Sequence, residues 1–183
     1  MVTVDGFGVP VEVAGPEKGS VVVLLGAAHQ APSAYEGVCQ RLHTASLKTV
    51  VIGPDPRLTA KSVISILDSL EVRWALLVGD RMGGELAWEL AATRLDRFIG
   101  LVVIDRGHPK VADLTGAVRD EHCPPVELNT TALVSSSAAR AVAKASQRFV
   151  YGEYRIVDLL GRRQAADSTA QLAAEIVMRT STW

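Results

Sequence analysis

Near its middle the chain reads Trp74-Ala-Leu-Leu-Val-Gly-Asp-Arg-Met-Gly-Gly-Glu-Leu-Ala-Trp88. The first five residues form an almost uninterrupted apolar run, which is typical of a parallel strand covered on both faces. A glycine-rich turn follows, and beyond it apolar residues recur at the spacing of one helix face, at Leu86, Ala87, Leu90 and Ala91. The stretch therefore predicts a buried strand that turns sharply into a helix.

The turn keeps the frame of a nucleophile elbow, in which the pattern Gly-x-Ser-x-Gly places a serine on a strained strand-to-helix turn. Gly79 and Gly83 hold the two glycine positions, and Arg81 stands where the pattern has its serine. The sequence thus predicts the scaffold of an esterase-like site without the attacking hydroxyl.

Length and composition predict a single globular domain over residues 1–183. The chain is 48% apolar, has a mean hydropathy of +0.21 and carries 19 basic and 20 acidic residues. This balance predicts no nucleic-acid partner and no membrane surface, and no apolar run approaches the ~20 residues of a membrane helix. The N-terminus does not resemble a signal peptide, and two cysteines without metal-like spacing indicate a reducing compartment. We expect a cytoplasmic domain with no cofactor and no metal site.

Strand patterns alternate with helical patterns along the chain. An N-terminal hairpin is predicted from residues 2–6 and 9–13, and apolar strands are predicted at 21–25, 49–52, 74–78, 99–104, 131–134 and 154–157. Helical stretches between such strands imply right-handed crossovers and a mostly parallel sheet.

This order of elements resembles the α/β-hydrolase family from about Val9 to Arg179. Four segments carry the resemblance. Residues 24–26 are similar to Leu-His-Gly before the oxyanion loop, and residues 77–84 to Leu-Val-Gly-His-Ser-Met-Gly-Gly. Residues 54–57 resemble the segment after the family's fourth strand, and residues 101–105 resemble the strand after the elbow helix. The resemblance implies a three-layer α/β-hydrolase fold with a mostly parallel sheet of about eight strands. Because residues 105–130 form only a short segment, it also implies a minimal cap domain or none.

The catalytic positions of the family hold other residues here. Arg81 replaces the nucleophile, Ser135 to Ser137 stand where the acid is expected, and Arg162 stands where the histidine is expected. Only the backbone N–H groups of Ala27 and Met82, the family's oxyanion-hole donors, need no particular side chain. The resemblance therefore implies a catalytically degenerate protein that binds a ligand or another protein.

A cation is unfavourable at a helix N-terminus unless it is paired with an anion, so two interpretations of Arg81 follow. In the first, Arg81 is paired with Asp105 and plugs the former active site. In the second, Arg81, the helix N-terminus and Arg162 form a site for a phosphate or carboxylate ligand. The predicted ligand-binding residues are Ala27, Arg81, Met82 and Asp105.

The alternative function is a hydrolase with a non-standard site, esterase-like or dehalogenase-like. It would use Asp80 or Asp105 as its acidic group, together with His29 or His108 at the carboxyl ends of the strands. Asp80 lies one residue before the elbow position, which predicts that its side chain turns away from the crevice.

The partner predicted for the leading interpretation is an unidentified small molecule or protein. Trp88 on the elbow helix is a candidate contact for a protein partner. Self-association into a homo-oligomer through an exposed helix is also compatible with the sequence.

Overall fold

The computed structural model describes residues 1–160 and 165–181. The strands are Val11–Ala14 (β1), Ser20–Leu25 (β2), Leu47–Ile52 (β3), Ala75–Asp80 (β4), Phe98–Ile104 (β5), Thr130–Val134 (β6) and Tyr154–Asp158 (β7). The α-helices are Glu36–Thr44 (α1), Ala60–Ser69 (α2), Met82–Thr93 (α3), Ser137–Ser146 (α4) and Ala165–Thr180 (α5).

These strands form one sheet in the order β1-β3-β2-β4-β5-β6-β7. All neighbouring strands run parallel except β1, which is antiparallel to β3. Central strands such as β4 are buried along their whole length, which explains why they show no polar alternation in the sequence. The mostly parallel α/β sheet predicted from the sequence is confirmed.

The described residues form seven strands, one fewer than the eight expected. The expected N-terminal hairpin is reduced to an isolated antiparallel bridge between Val2 and Gly8. Val2 and Val4 are both exposed, so this segment has no apolar face to bury. The second half of the expected hairpin instead pairs as β1 with β3, with Val11 opposite Ile52.

Helices cover both faces of the sheet and complete three layers. One apolar core lies under α2, α3 and α4, and the other lies under α1 and α5. Trp88 belongs to the first core and has no exposed surface, and its indole Nε1–H donates to the carbonyl oxygen of Arg106 at 3.1 Å. Trp88 is therefore a core residue, and the expectation that it contacts a partner is wrong.

The segment between β5 and β6 contains no helix and no named strand, so the minimal cap predicted from its length is confirmed. No described helix combines the length and the apolar character that crossing a bilayer demands.

Candidate functional site

The turn between β4 and α3 has the geometry of the predicted elbow. Arg81 lies between the two elements with φ 47° and ψ −101°, in the left-handed range that is costly for a residue with a side chain. A Cβ atom at Gly83 would overlap the carbonyl oxygen of Leu25, and one at Gly79 would overlap Gly84. Both glycines are therefore required by the close approach of α3 to β2 and β4.

Backbone hydrogen bonds hold this strained residue in place. The Arg81 N–H donates to the carbonyl oxygen of Ile104 on β5 at 3.0 Å. The Arg81 carbonyl oxygen accepts from the Gly84 N–H at 3.0 Å and from Nε of Arg106 at 2.9 Å. The elbow conformation thus depends on an arginine 25 residues farther along the chain.

The Arg81 side chain is 59% exposed, and its ion-pair partner is Asp80, with Nη1 3.7 Å from Oδ1. Asp105 is engaged elsewhere, because its two carboxylate oxygens accept the Ser135 N–H at 2.7 Å and the Ser135 hydroxyl at 2.6 Å. The expected Arg81–Asp105 ion pair is therefore not formed, and the plug interpretation of Arg81 is wrong. The reason is that β6 lies beside β5 and presents two donors directly to Asp105.

Asp80 is buried on the side of the sheet that faces α1. Its Oδ2 accepts from the Tyr35 hydroxyl at 2.7 Å, while Oδ1 has no hydrogen-bond partner among the described residues. Burial raises the pKa of Asp80 above its ordinary value, and burial together with the Asp80 charge raises the pKa of Tyr35. As expected, the Asp80 side chain is turned away from the crevice.

The Tyr35 hydroxyl also accepts a hydrogen bond from one of the expected oxyanion-hole donors. Its oxygen accepts the Ala27 N–H at 2.8 Å, so this donor is satisfied inside the protein. The second expected donor, the Met82 N–H, lies in the first turn of α3, where helix geometry provides no acceptor. Of the two predicted donors, Met82 is the one left for a ligand.

His108 lies in the core and not along a crevice, which corrects the prediction for this residue. It has no exposed surface, and its ring lies between Trp88 and Phe149 at centroid distances of 5.4 and 4.9 Å. Nδ1 accepts the Lys110 N–H at 3.2 Å and Nε2 lies 2.9 Å from the carbonyl oxygen of Pro124, which assigns the proton to Nε2. Both nitrogens are therefore engaged, and burial lowers the pKa of the ring.

Two further site residues, His29 and Arg162, are predicted from the sequence. His29 is exposed in the loop after β2, with φ 61°, and makes no side-chain hydrogen bond or ion pair with the described residues. Arg162 lies outside the described residues. Within those residues no group of three or more His, Cys, Asp or Glu side chains is arranged to hold a metal ion.

A crevice of about 340 Å³ opens beside Arg81, over the carboxyl ends of β4 and β5 and next to α4. We call it the elbow crevice. Three arginines and two aspartates line it, namely Arg81, Arg106, Arg119, Asp105 and Asp113. Arg81 and Asp105 were predicted from the sequence, whereas Arg106, Arg119 and Asp113 were not. The position of Arg106 two residues beyond β5 was a usable signal, whereas nothing local marked the loop residues Asp113 and Arg119.

A second crevice, of about 440 Å³, adjoins the first, since Arg106 and Arg119 line both. It lies where the strand order reverses between β2 and β4, the usual position of ligands in open α/β sheets. We call it the apolar crevice, because much of its wall is apolar: Leu25, Ile52, Pro54, Leu58, Met82 and Leu86.

Comparison with known proteins identifies the architecture. No protein-family model matches the chain, and no curated protein sequence matches it. Among solved structures, an esterase from Exiguobacterium antarcticum superposes with a TM-score of 0.79 at 14% identity, covering 98% of each chain. An epoxide hydrolase from Vigna radiata superposes with a TM-score of 0.73 at 12% identity, covering 96% of this chain and 95% of the other. An α/β hydrolase from Sphaerobacter thermophilus superposes with a TM-score of 0.74 at 14% identity over 99% of each chain. The chain therefore has the α/β-hydrolase fold.

Proposed function

We propose that this protein is a non-catalytic member of its fold that binds a small anion in the elbow crevice. One observation carries the proposal: a guanidinium, Arg81, stands exposed at the elbow position, where the fold otherwise carries its nucleophile. It lies at the N-terminus of α3, whose free N–H groups and dipole also favour an anion. An anion bound there would interact favourably with both the Arg81 guanidinium and the N-terminus of α3.

The charge balance of the crevice supports this proposal. Arg119 is matched by Asp113, whose Oδ2 lies 2.9 Å from Nε and 2.8 Å from Nη2. Asp105 has both carboxylate oxygens bound to Ser135. Among the described residues, in contrast, the carboxylates nearest to Arg81 and Arg106 lie at 3.7 Å or more, beyond hydrogen-bond distance. Two guanidinium groups thus retain donors for a ligand.

The placement of the acidic and histidine residues argues against the hydrolase alternative. A nucleophile needs a base within hydrogen-bond reach. Asp80 is buried against Tyr35, Asp105 is bound to Ser135, and both ring nitrogens of His108 are bound to backbone. His29 has no partner among the described residues that would orient it as a base.

An anion titration tests the binding proposal. We expect inorganic phosphate or acetate to raise the melting temperature and to bind with a measurable heat by calorimetry. Arg81→Gln should weaken the binding about tenfold or more, because a charge-assisted hydrogen bond is lost. Arg41→Gln is the matched control, since Arg41 is an exposed arginine on α1, on the opposite face of the sheet. Equal binding by both variants, or no binding by the wild type, would refute the proposal.

An activity assay tests the hydrolase alternative separately. We expect no turnover of short p-nitrophenyl esters and no labelling by a fluorophosphonate probe. Turnover that persists in Arg81→Ala but disappears in Asp105→Asn and His29→Ala would replace the binding proposal with an enzymatic function.

A further inference from the structure

We infer that the ligand is an amphipathic carboxylate, with its charged group on Arg106 beside Arg81 and its apolar part in the apolar crevice. This inference rests on the proposed function and adds the chemical class of the ligand. Arg106 lines both crevices, so one ligand could contact Arg106 with its charged group and still reach the apolar crevice.

Arg106 has the properties of an anion anchor. Its side chain is only 20% exposed, and its Nε is fixed by the carbonyl oxygen of Arg81. The terminal nitrogens lie 3.9 Å from Glu85 and 3.8 Å from Asp113, so neither makes a hydrogen bond with the described residues. A guanidinium that is mostly buried and has unused donors fits the two oxygens of a carboxylate.

The apolar crevice offers a surface for the rest of such a ligand. Pockets that bind small molecules combine mostly apolar walls with a few placed polar groups. Here Leu58, in the loop before α2, and Leu86, on α3, are each partly exposed and line the same crevice, which Ile52 and Met82 also line. Burying an alkyl or aryl group against these walls removes apolar surface from water, which favours binding.

The acidic residues of this crevice do not provide a competing cation site. Asp55 is already paired with Arg57, with N–O distances of 3.0 and 2.8 Å. Glu85 is 40% exposed and lies 3.9 Å from Arg106, and its charge also acts on Arg119. Glu89 is exposed overall, but part of its surface is buried. This partial burial is the main cause that raises the pKa of Glu89, and repulsion from Asp120 and Glu85 raises it further. Glu85 is therefore a weak internal competitor for the guanidinium that the ligand would take.

Chain-length dependence in the wild-type protein is the decisive measurement. Binding of acetate, hexanoate and octanoate is measured by calorimetry, beside inorganic phosphate and the uncharged analogues hexanol and octanol. Each methylene group that enters the apolar crevice should strengthen binding about fourfold. Octanoate should therefore bind far more tightly than acetate, and octanol should bind much more weakly than octanoate.

Three substitutions and one control substitution locate the two halves of the ligand. Glu85→Gln should strengthen octanoate binding several-fold, because it removes the carboxylate that competes for Arg106. Leu58→Ser should weaken octanoate but leave acetate unchanged, whereas Leu95→Ser, at an exposed leucine outside both crevices, should change neither. Arg106→Gln should remove the preference for octanoate over octanol, and its melting curve shows whether the variant is folded.

The outcomes separate this inference from the proposed function. If acetate, phosphate and octanoate bind equally well and depend on Arg81, the anion site stands and the amphipathic ligand is refuted. If octanol binds as tightly as octanoate, the carboxylate anchor is refuted. If no anion binds at all, both proposals fail.

Discussion

Nε of Arg106 donates a 2.9 Å hydrogen bond to the carbonyl oxygen of Arg81, so a residue two positions beyond β5 holds the conformation of the residue after β4. The Arg106 carbonyl oxygen in turn accepts from the indole of Trp88 in the core. Arg106 thereby connects the elbow, the core under α3 and both crevices. Its side chain is placed by the fold before any ligand arrives, which lowers the entropic cost of binding.

We expect Arg106→Ala to lower the free energy of unfolding by about 1.5–3 kcal/mol, the usual range for a hydrogen bond to a charged group. The physical reason is that the carbonyl oxygen of a strained residue loses a donor. Urea denaturation measures the loss, and Arg41→Ala, an exposed arginine on α1, is the control. Equal effects of the two substitutions would contradict a structural role for Arg106 at the elbow.

We expect the pH dependence of stability to differ between the wild type and Asp80→Asn. Burial raises the pKa of Asp80 in the folded state, so the folded protein holds this proton more tightly than the unfolded chain does. The stabilisation is therefore complete below the carboxyl's unfolded pKa of about 3.9 and is lost as pH rises through the higher folded value. Urea titrations across this acidic range should show the wild type becoming less stable relative to Asp80→Asn as pH rises. A difference that is constant with pH would contradict the prediction.

We expect the ring of His108 to stay neutral, with its proton on Nε2, below the ordinary histidine pKa of about 6.5. Burial lowers the folded pKa, so the contribution to stability is complete above the unfolded value and is lost as pH falls through the folded one. Long-range ¹H–¹⁵N spectra across pH 4 to 8 report the tautomer and the protonation state of each ring directly. A protonated His108 at pH 6.5 would contradict this prediction.

We expect Arg81→Ser to show no activity toward p-nitrophenyl esters. The new hydroxyl would stand on a correctly shaped elbow, but both nitrogens of His108 are engaged and Asp105 is bound to Ser135. Without a base the serine is a poor nucleophile, so background hydrolysis is the expected rate. Measurable burst kinetics in this variant would reveal a base that the present contacts do not identify.

Local patterns in the sequence determined the architecture. The apolar run at Ala75–Val78, the glycines at 79 and 83 and the helical spacing after them were sufficient to predict a buried strand, a strained elbow and a packed helix. These features depend on residues close together in the chain, whose periodicity reflects burial on one face or two. The two crevices and the partners of the charged groups have no such local signal.

Tertiary structure alone determined which charges meet. Asp105 is bound to Ser135, 30 residues away, and not to Arg81. His108 is enclosed by Trp88 and Phe149, and Arg106 reaches back to Arg81. Each contact joins segments that are brought together only when the sheet forms, so it depends on strand order and loop path, which a single sequence does not encode as a pattern.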